Sequence, residues 1–219
     1  NTTTNSYVPV AVNTSGVLSG KTIAQVAAGY YHTVVLATDG TVYSWGYNGH
    51  GELGNNSTTN SPIPVAVITS GVLSGKTITQ VAVGLYNPVV LASDGTTYSW
   101  GYNGEGELGN STTTTSYVPV AVTTSGVLSG KTITKIAAGS EHVLALASDG
   151  TVYSWGYSGQ GQLGNGSTSY SASPVAVTTS GVLSGKTITN VAAGYYHSLA
   201  LSSDGTLYSW GYNAHGELG

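Results

Sequence analysis

Three sets of residues in this chain have the types and spacing for chemistry. The first is S-G-V-L-S-G-K-T at Ser15–Thr22, repeated at Ser70–Thr77, Ser125–Thr132 and Ser180–Thr187. It approaches the phosphate-binding loop G-x-x-x-x-G-K-[ST], which works between a strand and a helix. Here serine stands at the first glycine position, and Gly16 is one residue too close to the second. The segment that follows, T-I-A-Q-V-A-A, has strand character, so no helix N-terminus would face a phosphate. A nucleotide site is therefore rejected.

The second set is His32, His142 and His197. They occupy one position of a repeat, so they can ligate one metal only if they converge on a common axis. We expect instead that each ring bonds backbone within its own repeat. His50 and His215 lie in polar loops with no second ligand near in sequence, and no metal site is expected. The third set is Glu141-His142, an acid–histidine pair found in one repeat only. Nucleophilic catalysis also needs a nucleophile and oxyanion donors held beside the base. No serine stands out and cysteine is absent. The pair is taken as a loop glutamate beside a structural histidine, and neither an enzymatic role nor a cofactor is expected.

The elements that must hold these residues are set by repetition. The block D-G-T-V-Y-S-W-G-Y-N-G-H-G-E-L-G at Asp39–Gly54 returns at Asp94–Gly109, Asp149–Gly164 and Asp204–Gly219, with Trp45, Trp100, Trp155 and Trp210 spaced 55 residues apart. The first unit predicts an edge strand at Tyr7–Val12, where Pro9 cannot donate to a ladder. Strands follow at Thr22–Ala28, His32–Thr38 and Thr41–Tyr47, the last two joined at Asp39-Gly40 by a two-residue I′ turn. No stretch of ten residues carries a helical apolar period. Consecutive apolar residues in His32–Thr38 suit a sheet covered on both faces. Four such strands repeated in tandem predict an all-β propeller with four four-stranded blades. The expected units are about 22–67, 77–122, 132–177 and 187–219 plus 1–12, within a single repeat domain. A β-solenoid is the runner-up, but its coils are usually shorter and lack a hairpin in each.

The first strand completes this scheme. Joining Gly219 to Asn1 gives G-E-L-G-N-T-T-T-N-S-Y-V-P, nearly the sequence of Gly106–Pro119. The N-terminal strand is thus expected to complete the last blade, in the same chain or in a second copy.

Composition excludes several roles. Only 14 of 219 residues are charged, arginine is absent and the net charge is −4, so no basic patch exists to neutralise a nucleic-acid backbone. No apolar run reaches the length of a spanning helix, and no membrane insertion is expected. Richness in Ser, Thr, Asn, Gly and Tyr favours an extracellular or cell-surface setting. Sequons at Asn1, Asn13, Asn55, Asn56, Asn110 and Asn165 can accept sugar. The chain opens on Asn1 without methionine or an apolar leader, which implies a removed leader or a piece of a longer protein.

The pattern A-A-G-Y-Y-H-x-x-x-L-A-x-D-G-T-V-Y-S-W-G-Y-N-x-x-G-E-L-G resembles the regulator of chromosome condensation repeat, and the match covers all four units. The resemblance implies a propeller, usually of seven blades. It also implies protein binding, since members include exchange factors for a small GTPase, secreted inhibitors and plain interaction modules. Asn87 replaces the signature histidine in the second unit and Pro88 follows it. The charged features of the exchange factors have no counterpart, so exchange activity is not carried over.

Tyr43, Trp45 and Tyr47 alternate along one strand in every unit, and aromatics this constant are expected to pack between blades, the tryptophans above all, while Tyr47, Tyr102, Tyr157 and Tyr212 near the strand ends are left open. The units differ after A-A-G (Tyr30-Tyr31, Leu85-Tyr86, Ser140-Glu141, Tyr195-Tyr196), at the loop tip (His50, Glu105, Gln160, His215) and in the polar run before each proline strand. Recognition resides in such loops, and these twelve residues are the expected binding set, for a protein or polysaccharide partner. The alternative is a self-assembling surface protein, for example a homodimer in which two four-blade chains share an eight-blade ring.

Overall fold

A computed structural model describes residues 2–219; the sequon at Asn1 lies outside the described residues. The first sheet runs β1 (Ile23–Ala28), β2 (His32–Ala37), β3 (Val42–Gly46) and β4 (Ser61–Ala66), antiparallel and in chain order. The second repeats this with β5 (Ile78–Val83), β6 (Pro88–Ala92), β7 (Thr97–Gly101) and β8 (Ser116–Ala121). The third comprises β9 (Ile133–Ala138), β10 (His142–Ala147), β11 (Val152–Gly156) and β12 (Ser171–Ala176). The fourth has three strands, β13 (Ile188–Ala193), β14 (His197–Ser202) and β15 (Leu207–Gly211). The strands β4, β8 and β12, each with a proline inside it, lie at sheet edges, where a missing N–H costs nothing, whereas β6 within its sheet only opens on Pro88. Among the described residues helical structure is limited to single 3-10 turns such as Gly71–Leu73.

The apolar core lies between blades. One cluster joins Val34, Leu36 and Val42 of the first sheet to Ile78, Val90 and Trp100 of the second, and others fill the next two junctions. This is why β2 and β10 carry apolar residues on both faces. Each junction is pinned by an indole. Trp100 Nε1 donates to the Glu52 carbonyl at 2.8 Å, Trp155 to that of Glu107 at 2.9 Å, and Trp210 to that of Gln162 at 2.8 Å. In the first three units the last glycine of G-E-L-G or G-Q-L-G lies against that indole; a Cβ on Gly109 would come within 2.8 Å of Trp155 Nε1. Burying an indole removes about 200 Å² from water, on the order of 5 kcal/mol before entropy and strain.

The innermost strands β1, β5, β9 and β13 contact one another in sequence. Gln25 bridges the first pair, donating to the Thr79 carbonyl at 2.7 Å and accepting from Val81 N–H at 3.2 Å. Gln80 does the same to Ile136. Lys135 holds this position in the third blade and donates to the Thr189 carbonyl at 2.8 Å, which explains the lysine that stands outside the repeated loop.

The other four lysines have a structural task. Lys21, Lys76, Lys131 and Lys186 pair with Asp39, Asp94, Asp149 and Asp204 at 2.5–2.7 Å. The pairing, with bonds from Thr41, holds the Asp39 carboxyl well below its ordinary range. The hairpin itself differs from the expected I′ turn. Gly40 N–H donates to the Ala37 carbonyl, Ala37 N–H to that of Thr41, and φ is positive at Gly40 (83°) but not at Asp39. The loop therefore has three residues ending in a left-handed glycine, because Asp39 turns its carboxylate onto Thr41 and Lys21.

The expected N-terminal strand is also corrected for a single chain. Residues 2–22 form no strand, Tyr7 is 98% exposed, and the fourth sheet keeps three strands.

Candidate binding face

Antiparallel order sorts the connections between two faces. The turns at Asp39-Gly40 and the S-G-V-L-S-G-K loops lie at one end of the strands, joined by the lysine–aspartate pairs. The A-A-G-x-x turns between first and second strands, and the long loops after the tryptophan strands, lie at the other. All three variable segments therefore share one face.

That face is built on conserved local chemistry. The G-x-x-H spacing folds the histidine ring back over the glycine: a Cβ on Gly139 would stand 2.2 Å from His142 Cε1, and one on Gly29 would stand 2.4 Å from His32 Cε1. In the long loop, Asn48 donates to the Ser57 and Thr59 carbonyls and accepts from Leu53 N–H at 2.8 Å. Ser44 Oγ donates to the Leu53 carbonyl at 2.7 Å. The loop tip is held by its backbone alone, since His50 N–H donates to Glu52 Oε2 and Glu105 N–H to Glu107 Oε2, both at 2.9 Å. Gln160 and Gln162, and His215 and Glu217, repeat the contact. This contact does not depend on which side chain stands at the tip.

The tips stand at the junctions between blades and make three clefts of different character. Between the first two blades, the His50 ring lies 5.3 Å from that of Tyr86 and 5.2 Å from that of Tyr102, with Tyr47, Tyr31 and Tyr30 adjoining. Between the second and third, Glu105 and Glu141 replace the rings. Burial and the Glu105 charge raise the Glu141 carboxyl. Between the third and fourth, the smaller Gln160 leaves an open cleft of about 350 Å³ lined by Tyr195, Tyr196, His197, Tyr212 and Glu217. Burial, reinforced by Glu141, pushes the Tyr196 hydroxyl up to about 12. At the centre, the segments after each first strand surround a depression of about 300 Å³.

Of the twelve expected residues, eleven lie on this face at least partly exposed, with Tyr30, Tyr31, Gln160, Tyr195 and His215 the exposed ones and the rest half-buried. Ser140 does not. It is buried, and its hydroxyl donates to the Tyr195 carbonyl at 2.5 Å, stitching two blades at the centre. Leu85 N–H makes the corresponding stitch to the Ser140 carbonyl at 2.8 Å. Tyr102 and Tyr212, which sequence reasoning left open between packing and contact, wall the clefts.

The histidine expectation is corrected. His142 Nε2 meets Ser198 Oγ of the next blade at 2.9 Å, and that hydroxyl donates to the Gln162 carbonyl. The bond is between blades and to a side chain; the serine proton is already used, so the Nε2 tautomer carries the donor. For His32 the facing position is Pro88, and neither ring nitrogen has a partner. Burial lowers both imidazoles to about 4. Glu107 is buried with Oε1 unpaired, and burial raises its carboxyl to about 7. Among the described residues no group of histidine and acidic side chains could hold a metal ion, and no helix is long and apolar enough to cross a membrane.

A family model described as the RCC1-like domain matches residues 2–219. The ultraviolet-B receptor UVR8 of Arabidopsis thaliana is 34% identical over 202 residues, covering 92% of this chain and 44% of the relative. The probable E3 ubiquitin-protein ligase HERC4 of Homo sapiens is 36% identical over 203 residues, 92% of this chain and 18% of the relative. The chain thus spans less than half the length of these curated relatives. Among solved structures, human WBSCR16 is 28% identical with a TM-score of 0.80, covering 91% of this chain and 50% of that one. Prp20p from Saccharomyces cerevisiae, described with its binding to Gsp1p and histones, is 26% identical with a TM-score of 0.75, covering 91% and 46%.

Proposed function

The chain belongs to the RCC1-like domain family, and on that premise we propose that it is a rigid scaffold that binds a protein through the tyrosine-rich face, without a catalytic step of its own. The observation that carries this reading is the set of three equivalent clefts with unlike linings: one plugged by His50, one acidic, one open and aromatic. On a fold this repetitive, these clefts form a non-repetitive surface. Tyrosines held by packing give large contact area at low entropy cost, as binding hot spots require. The open cleft beside Gln160 suits one apolar or aromatic side chain of the partner, and Glu105 with Glu141 suits a neighbouring cation. The relatives described as binding proteins support the class of partner. The ligase activity of HERC4 is not proposed here, since this chain matches 18% of that protein.

A photo-crosslinking residue placed at Tyr196, and at Val127 on the opposite face, tests the proposal in the protein's native milieu. The expected result is protein adducts at position 196, absent at 127 and lost when Tyr195 and Tyr212 become alanine. Equal labelling at both positions refutes it, and labelling of a polysaccharide alone would replace a protein partner by a polymer.

A further inference from the structure

The junction between the second and third blades has a further blade of the chain on either side, and unneutralised charge gathers there. The four aspartates are each paired with a lysine, and none of the five glutamates makes an ion pair among the described residues. Three of the five, Glu105, Glu107 and Glu141, meet at this junction. Glu105 and Glu141 are half-buried at its mouth. Glu107 lies beneath them, 1% exposed; its Oε2 accepts the Glu105 N–H at 2.9 Å, and its Oε1 is buried without a partner. Burial, and then the charges of Glu107, Glu105 and Glu141, raise the Tyr102 hydroxyl, which places that side chain beside all three.

The first junction shows what occupies the equivalent place when the chain fills it. There the tip residue is His50, a basic ring seated against Tyr86 and Tyr102, and the buried carboxyl below is Glu52. Burial raises the Glu52 carboxyl, and His50 is one of the groups that oppose the rise. In the second junction the tip is Glu105, so the chain supplies no such group. Glu141 moreover stands where the first junction has Tyr86, whose ring lies 6.2 Å from that of Tyr47, and the third has Tyr196, 5.9 Å from Tyr157. Tyr102 therefore has a carboxylate, not a ring, as its neighbour on the third blade.

We propose that this cleft is the receptor for an arginine of the protein partner, its guanidinium lying against Tyr102 between the Glu105 and Glu141 carboxylates, with the Glu107 carboxyl beneath as a proton-linked counter-charge. This rests on the reading of the face as a protein-binding surface. A guanidinium suits the place better than an ammonium: its planar fork meets two carboxylates at once, and it stacks on an aromatic ring. Glu107 ties the contact to pH. Burial, opposed by the backbone bonds and aided by Glu141 and Glu105, raises its carboxyl to about 7. The titratable groups facing it are Glu105, Glu141 and Tyr102, and Tyr102 stays protonated. A bound cation favours the ionised carboxyl, so binding releases a proton and strengthens as pH rises.

With five glutamates in the chain, carbon NMR of carboxyl-labelled glutamate can follow each one as N-acetylarginine amide is added. The carboxyl signals of Glu105, Glu107 and Glu141 should shift in a saturable way while those of Glu52 and Glu217 stay in place. Affinity should rise about fivefold from pH 6 to pH 8, taking the cation to shift Glu107 by about one decade of proton affinity. Glu107→Gln should flatten that rise without abolishing binding. Glu105→Gln with Glu141→Gln, which removes no hydrogen bond of the fold, should weaken binding about tenfold. Equal shifts at all five carboxyls, no shift at all, or equal affinity for N-acetyllysine amide would overturn the arginine site. The probe needs no partner, so such a failure leaves the crosslink at position 196 to judge the scaffold reading separately.

Discussion

Glu107→Gln isolates a single buried proton. Glu107 is 1% exposed, its Oε2 accepts from Glu105 N–H at 2.9 Å, its carbonyl receives the Trp155 indole, and Oε1 has no partner. Burial, opposed by the backbone bonds and aided by Glu141 and Glu105, raises the carboxyl from 4.5 to about 7. A carboxyl raised on folding means that the native state holds a proton the unfolded chain has released. Its contribution is complete below pH 4.5 and lost as pH rises towards 7. That gap, at about 1.4 kcal/mol per decade of proton affinity, is worth roughly 3 kcal/mol. The third blade shows that glutamine fits, since Gln162 makes the same tip and indole contacts at 2.9 and 2.8 Å. Urea unfolding at pH 5 and pH 8 should therefore show the wild type losing about 2.5 kcal/mol more than the variant over that interval. Glu217 holds the same repeat position but is partly exposed, and its carboxyl is lowered, chiefly by the His215 N–H bond. Glu217→Gln should accordingly bring no gain at pH 8. Wild-type and Glu107→Gln free energies that run parallel with pH to within about 0.5 kcal/mol would refute the reasoning.

Three further substitutions probe the junctions. Pro88→Ser should give His32 the partner that Ser198 gives His142, raising the denaturant midpoint by an amount equivalent to about 1 kcal/mol; an unchanged or lower midpoint would show that the His32 site is not short of a hydrogen bond. Trp155→Phe should cost about 2 kcal/mol or more by stranding the buried Glu107 carbonyl, measured by urea unfolding on the isolated single chain. Trp45→Phe, which strands no carbonyl within the chain, should cost clearly less in the same measurement.

The repeat made the architecture legible. The 55-residue spacing, D-G hairpins, edge prolines and doubly apolar strands each follow from local backbone chemistry, and the sheets follow them to within a residue or two. The binding face was partly legible, because His50 and its counterparts vary where the backbone alone is held. Contacts made from one blade to the next were not. Nothing local announces that His142 would meet Ser198, 56 residues on, while His32 would face Pro88. Likewise, the lysine of S-G-V-L-S-G-K, suggestive of phosphate when read alone, serves the aspartate 18 residues later. Ser140, expected at the surface, turns inward and gives both its N–H and its hydroxyl to the Tyr195 carbonyl of the next blade. Sequence by itself determined the blade, whose hydrogen bonds close within a few residues or along one hairpin. Only the tertiary structure decided what lies between blades, since burial and the partner of each polar atom there depend on the residue one repeat away.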